Sequence, residues 1–213
     1  DRLEIGTMKK LWAEEQKQYQ LVKENIDAIN IKCHDLKHQI RNLRTTGQVD
    51  PAYLDDLEKS VSIYNSAVRT GNETLDIVLT DKRLHCATHE IQFTCIADGG
   101  GIAFMETIDI FSLFGNILDN AIECESNLPP DTRFIHLSVR TVNRMLTIHV
   151  ENHFEDSLQF RDGLPVTTKA DKDSHGYGMM SVRHIVEKYN GSFSISTQDK
   201  LFQIDIVMPI PEK

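Results

Sequence analysis

Residues 115–123 read GNILDNAIE. Asn116 and Asn120 stand four apart, so a helix puts both amides on one face, while Ile117, Leu118, Ala121 and Ile122 supply the opposite side. The apolar pattern around them predicts a helix near 108–127, closed by Pro129 and Pro130. Two amide oxygens on one face suit a hard, hydrated cation: Mg²⁺ prefers oxygen, keeps several waters and is usually shared with substrate phosphates. By spacing alone, an Asn pair on a wet helix face explains the stretch equally well.

Working outward, HGYGMMSVR at 175–183 places Gly176 and Gly178 at the start of a helix predicted over 177–189 and ended by Asn190-Gly191. Glycines at a helix start let backbone N–H groups and the positive helix end approach a phosphate. GxG before a helix is common, so it gains weight from its order after the Asn pair and after a loop near 153–175 rich in charge, Gly and Thr. Around these lie a helix near 74–86 and strands near 91–97, 133–141 and 145–151. SFSIST and FQIDIVM form two final strands. Strands in blocks with a long loop predict an α+β sandwich with a functional lid at about 153–175.

The first third follows another rule. Val22, Ile26, Ile29, Cys33, Leu36, Ile40 and Leu43 recur in alternating steps of four and three, a heptad seam that continues backward through Tyr19, Trp12 and Met8 with Glu15 as its polar exception. TTGQVDP at 45–51 ends this helix of roughly 40 residues. Leu54, Leu57, Val61, Tyr64 and Val68 give a second, shorter helix folding back. Two helices bury little alone, so the α-helical hairpin of residues 1–70 is expected to form a dimeric four-helix bundle. TGN at 70–72 marks the boundary with the second domain, 71–213.

The charge of −9 is uneven: residues 1–70 hold eleven basic and eleven acidic residues, against twelve and twenty-one in 71–213. So acidic a second domain repels phosphate backbones, which argues against nucleic acid as its partner. The four cysteines, 33, 86, 95 and 124, contain no CxxC pair and read as reduced and intracellular. No apolar run spans a membrane and no signal sequence opens the chain, so the fragment is expected to be soluble; it begins without Met, leaving room for an upstream part.

Within the seam lies CHDLKHQI, 33–40. His34 and His38 are four apart, one carboxylate length from the HExxH pattern of zinc proteases. A zinc hydrolase using this pair, with Asp35 as base, leaves the Asn pair, the lid and the glycines without a role.

GNILDNAIE resembles the N box, and HGYGMM the second glycine box, of the ATP-binding domain of sensor histidine kinases in the GHKL superfamily. CHDLKHQI in its hairpin resembles the dimerisation and histidine-phosphotransfer domain. With TGNETLDIVL, DGLPVTTK and HGYGMMSVR, the chain is most similar to the peptide-quorum-sensing receptors of the accessory-gene-regulator (AgrC-like) type. The resemblance covers nearly the whole chain and implies the GHKL fold, with ATP and Mg²⁺ as cofactors.

It further implies autophosphorylation on His34, transfer to an aspartate of a response regulator, homodimerisation through 1–70, and an upstream membrane sensor to which this cytoplasmic portion is attached. The ATP-hydrolysing branches carry a Glu four residues before the Mg²⁺-binding Asn, as general base on water. Asn116 occupies that position, so the γ-phosphoryl group is expected to go to a protein nucleophile.

His34 lies about 100° from the seam and is expected to be exposed. A neutral imidazole nitrogen can attack the γ-phosphorus while a carboxylate holds the other ring N–H, the role that the resemblance gives to Asp35. Asn120 is expected to hold Mg²⁺, with Asn116 beside it, and Lys169, His175, Gly176, Tyr177, Gly178 and Met179 to line the ATP site. The usual DxGxG box is absent; in VENHFED, 150–156, Asn152 best matches its Asp, a neutral partner for the adenine amino group that predicts an ATP Kd weaker than about 1 μM. His38 stands where many histidine kinases place Thr or Asn for dephosphorylation, and reads by default as solvated. A catalytically weak kinase acting as a dimeric nucleotide-binding scaffold is the alternative.

Overall fold

The computed structural model describes residues 2–47, 49–64, 68–154, 160–161, 164–165 and 177–212. Helix α1, Arg2–Thr46, runs 45 residues. It is followed by α2, Pro51–Tyr64, opened by Asp50, whose side chain accepts the Ala52 N–H at 3.0 Å. The two pack as a hairpin on Cys33, Ile40, Leu54 and Val61, with Ile29, Val49 and Leu57 partly buried beside them. Arg44 clamps the hairpin beside its turn, donating to Asp55 and Glu58 at 2.8 Å each.

Only part of the predicted seam is covered in the single chain: Ile26, Cys33 and Ile40 are buried, whereas Leu36 and Leu43 each stay 41% exposed. The second helix also ends earlier than its apolar spacing suggested, since Val68 is not helical and packs instead on the sandwich.

Residues 68–72 are pinned to the third helix. Val68 donates to the Thr80 hydroxyl, and Thr70 uses both its N–H and its hydroxyl on Asp76. Asn72 then caps that helix, α3, Glu73–Thr88, by accepting the Leu75 N–H at 3.0 Å. Gly99 packs against this strap so closely that a Cβ there would meet the Thr70 hydroxyl at 2.5 Å.

The chain continues through β1 (Gln92–Ala97), a short 3₁₀ turn, α4 (Thr107–Ser126), β2 (Phe134–Val142) and β3 (Met145–His153). Beyond it come β4 (Phe160–Arg161) and β5 (Leu164–Pro165), a small antiparallel pair inside the predicted lid. Helix α5 (Tyr177–Lys188) and strands β6 (Ser192–Gln198) and β7 (Leu201–Pro209) complete it.

The five-stranded sheet has the order β1-β2-β3-β7-β6, with β1 parallel to β2 across the α4 crossover and the other neighbours antiparallel. Both hairpins turn on two residues of positive φ, Asn143-Arg144 and Asp199-Lys200, the twist that a two-residue turn needs to match its strands.

Alternation then sorts the faces. Leu146, Ile148, Val150 and Asn152 of β3 point inward, as do Ile204, Ile206 and Met208 of β7, onto Leu113, Phe114, Ile117 and Leu118 of α4 and Val182 and Val186 of α5. The result is one sheet covered on one face by α3, α4 and α5, the expected α+β sandwich.

Candidate nucleotide site

The site begins on α4. Ile117, Leu118, Ala121 and Ile122 are buried in the sandwich core, which leaves Asn116 and Asn120 half-buried on the other side. Asn116 is not simply wet: its Nδ2 donates to the Ser112 carbonyl at 2.8 Å and lies 3.2 Å from the Ser112 hydroxyl. Committing the nitrogen turns Oδ1 toward α5, where a Cβ on Gly178 would sit 3.0 Å from it. A glycine at 178 thus brings the start of α5 against the Asn116 amide. Met179, next in the helix, is buried.

Asn152 is reached from the sheet. It is 1% exposed on the helix-facing side of β3, opposite Ile135 and Phe202 in register, and its Nδ2 donates to the His153 carbonyl at 2.8 Å. Glu125, in the last turn of α4, fixes the strand end: its buried carboxylate accepts the N–H of Phe134 at 3.0 Å and that of His153. Burial pushes this carboxyl above its ordinary range against the downward pull of those two N–H groups. Sequence reasoning missed Glu125, although a Glu at the apolar end of an amphipathic helix is a visible anomaly.

Lys82 of α3 bridges to Asp119, the neighbour of Asn120, at 2.8 Å and to Asp81 at 3.3 Å. At the far end of α4, Asp109 accepts from Lys188 Nζ at 2.7 Å and from the Tyr189 hydroxyl at 2.6 Å, tying α5 to α4. The bond to Asp109 holds the Lys188 ammonium above its usual pKa.

Tyr177 opens α5, but its side chain, like Lys169, His175 and Gly176, lies outside the described residues. So does most of the predicted lid.

The hairpin histidines are elsewhere. His34 and Asp35 are 72% and 68% exposed, and His34 Nδ1 lies 3.8 Å from Asp35 Oδ1, too far for a hydrogen bond. His38 is also exposed and meets the His34 ring edge-on, with centroids 4.7 Å apart. Among the described residues no group of three or more His, Cys, Asp or Glu side chains is placed to hold a metal ion. No described helix is long and apolar enough to cross a membrane.

Glu15, Tyr19 and Lys23, in the first half of α1, touch the sandwich. Tyr19 packs edge-on against Phe111 with centroids 5.3 Å apart, Glu15 accepts the Ser112 hydroxyl at 2.8 Å, and Lys23 pairs with Glu73 at 2.7 Å. His34, eleven residues beyond Lys23, stands roughly 16 Å farther along the helix.

Comparison with known proteins bears on the fold that carries these residues. The family model of the GHKL domain matches residues 105–209, from the turn before α4 to the end of β7. A probable C4-dicarboxylate sensor kinase of Halalkalibacterium halodurans is 22% identical over 186 residues, covering 81% of this chain. The chain spans about a third of that relative's length, 35%.

Among solved structures, the nucleotide-free catalytic domain of the histidine kinase ThkA superposes with a TM-score of 0.50 at 17% identity, over 66% of this chain and 93% of that one. A second crystal form of it gives 0.50 at 15% identity, over 65% and 94%. Residues 105–209 thus match the model of the GHKL domain, and the sandwich shares the α+β fold of that histidine kinase catalytic domain.

Proposed function

We propose that the chain is the kinase region of a sensor histidine kinase, with residues 1–70 as the dimerisation and histidine-phosphotransfer domain and 71–213 as the ATP-binding domain. The observation that carries this reading is the apposition of Asn116 and Gly178 in a GHKL fold, with an amide in place of a carboxylate at position 116. An amide cannot deprotonate water, so the site lacks the base that ATP hydrolysis needs there. Oxygen donors at Asn116 and Asn120 fit Mg²⁺, which when bound would neutralise phosphate charge. Asn152 would accept from the adenine amino group, and the backbone around Gly176 and Gly178 would meet the phosphates.

In this reading a ring nitrogen of His34 attacks the γ-phosphorus. The N–P bond forms as the bond to the bridging oxygen breaks, and ADP leaves with the electron pair. Asp35 swings from its 3.8 Å separation to hold the other ring N–H. The phosphoryl group then passes to an aspartate of a response regulator. Because α1 holds His34 away from Asn116 and Gly178, transfer requires the sandwich to leave its place on α1, or to serve the histidine of a second copy.

The partly exposed seam residues Leu36 and Leu43 support a homodimer. An upstream membrane sensor belongs to this reading as well. The AgrC-like resemblance makes a peptide the first signal class to try, and the relative's name makes a C4-dicarboxylate the second.

Calorimetry tests the site. Mg-ATP should bind with a Kd weaker than about 1 μM, and Asn120→Ala should weaken it at least about tenfold. Equal binding by the two proteins would remove Asn120 from the site. The neutral Asn152 favours a second reading, a nucleotide-binding scaffold that does not phosphorylate, which transfer of label to His34 would exclude.

A further inference from the structure

Ser112 joins two helices that the proposed reaction needs to coordinate. Its hydroxyl, 5% exposed at the residue level, donates to Glu15 Oε1 at 2.8 Å, while the same oxygen stands 3.2 Å from Asn116 Nδ2 and 3.4 Å from the Ser181 hydroxyl of α5. A hydroxyl has one proton. With that proton given to the Glu15 carboxylate, Ser112 can face Asn116 only as an acceptor. The Ser112 carbonyl accepts from the same Nδ2 at 2.8 Å. Both groups therefore demand the nitrogen of the amide, and Oδ1 is left facing Gly178.

Taking Glu15 away frees the proton. The Ser112 hydroxyl is then free to turn its proton toward Asn116 and donate to the amide oxygen itself. One of the two groups that fix the amide is lost, and the oxygen is no longer held toward α5.

We propose that Glu15 and Ser112 are positioning residues: docking of α1 on α4 sets the direction of a Glu15–Ser112–Asn116 hydrogen-bond chain that aims the Asn116 oxygen at the nucleotide site. This rests on the reading of Asn116 as part of that site. Helix α1, docked on the sandwich, thus acts on nucleotide binding through one carboxylate. Tyr19 against Phe111 and Lys23 on Glu73 fix the docking register. Burial and the nearby Asp109 both raise the Glu15 carboxyl above its usual range, so the Ser112 hydrogen bond is what favours the charged form in this position.

Calorimetry on the full chain with a non-hydrolysable ATP analogue, with Mg²⁺ and with EDTA in its place, tests the chain. Glu15→Ala and Ser112→Ala should each weaken the Mg²⁺-dependent binding about three- to tenfold, the range of one hydrogen bond. The double variant should be no weaker than Ser112→Ala alone. Glu15→Gln should stay within about twofold of wild type, because its carbonyl oxygen accepts the same bond, a rescue that loss of packing would not give.

Unchanged affinity, additive effects, equal losses in EDTA, or Glu15→Gln as weak as Glu15→Ala would each overturn the relay while leaving the nucleotide site standing. Absence of binding by the wild type would overturn the site and the relay together.

Discussion

The carboxylate of Glu125 accepts the backbone N–H of His153, which ties the last turn of α4 to the strand end that carries Asn152. Phe134 donates to the same group at 3.0 Å, so one buried side chain holds the start of β2 and the end of β3. Glu125→Ala should cost about 2–4 kcal/mol, since it leaves two N–H groups without their acceptor. Urea unfolding measures this. ATP affinity of the variant that still folds should fall with it, because Asn152 loses its anchor; unchanged affinity would separate the strand end from the site.

Asp109 is the better-placed half of the clamp between α4 and α5. Its side chain is 13% exposed and takes bonds from both Tyr189 and Lys188, whereas the Lys188 side chain is 40% exposed and screened by water. Asp109→Ala should therefore cost about 2 kcal/mol and Lys188→Met less than about 1 kcal/mol. The reverse order in denaturant melts would show that the ammonium, not the tyrosine hydroxyl, carries the clamp.

Two thiols should be silent. Burial pushes Cys86 up to about 12 and Cys95 to about 11, and a raised thiol pKa means less thiolate at any lower pH. At pH 8 this slows alkylation of Cys95 by about a hundredfold against an ordinary thiol, and of Cys86 by more. Mass spectrometry after a short iodoacetamide pulse should find both unmodified in the native protein and both labelled in urea. Rapid native labelling would place them nearer the surface.

Much of this architecture is legible in the sequence because periodicity reports burial. The heptad steps mark α1 and the hairpin, the alternation in TIHVEN and QIDIVM marks central strands, and Asn190-Gly191 marks the end of α5. Apolar spacing carries the second helix on to Val68, because that residue keeps the helical step while packing on a different core. The Asn pair and the glycines suggest a candidate site through their order along the chain. Glu125, Ser112 and Glu15 are not legible as a set, since each acts through a partner 9 to 97 residues away that only the fold supplies.

The half-covered seam should make the hairpin self-associate. Leu36 and Leu43, each 41% exposed beside buried Cys33 and Ile40, present an apolar stripe that a second copy would cover. Light scattering should give twice the chain mass for wild type and the single mass for Leu36→Glu with Leu43→Glu. A monomeric wild type would remove the four-helix bundle.

The central claim, that ATP bound by the sandwich phosphorylates the hairpin histidine, is tested most directly by incubating the full chain with γ-labelled ATP and Mg²⁺. Wild type, His34→Ala, His38→Ala and Asn120→Ala should be compared, with acid treatment of the labelled protein. Acid-labile label in wild type and His38→Ala, lost in His34→Ala and in Asn120→Ala, is the predicted result. Label that persists in His34→Ala, or undiminished label in Asn120→Ala, would contradict it.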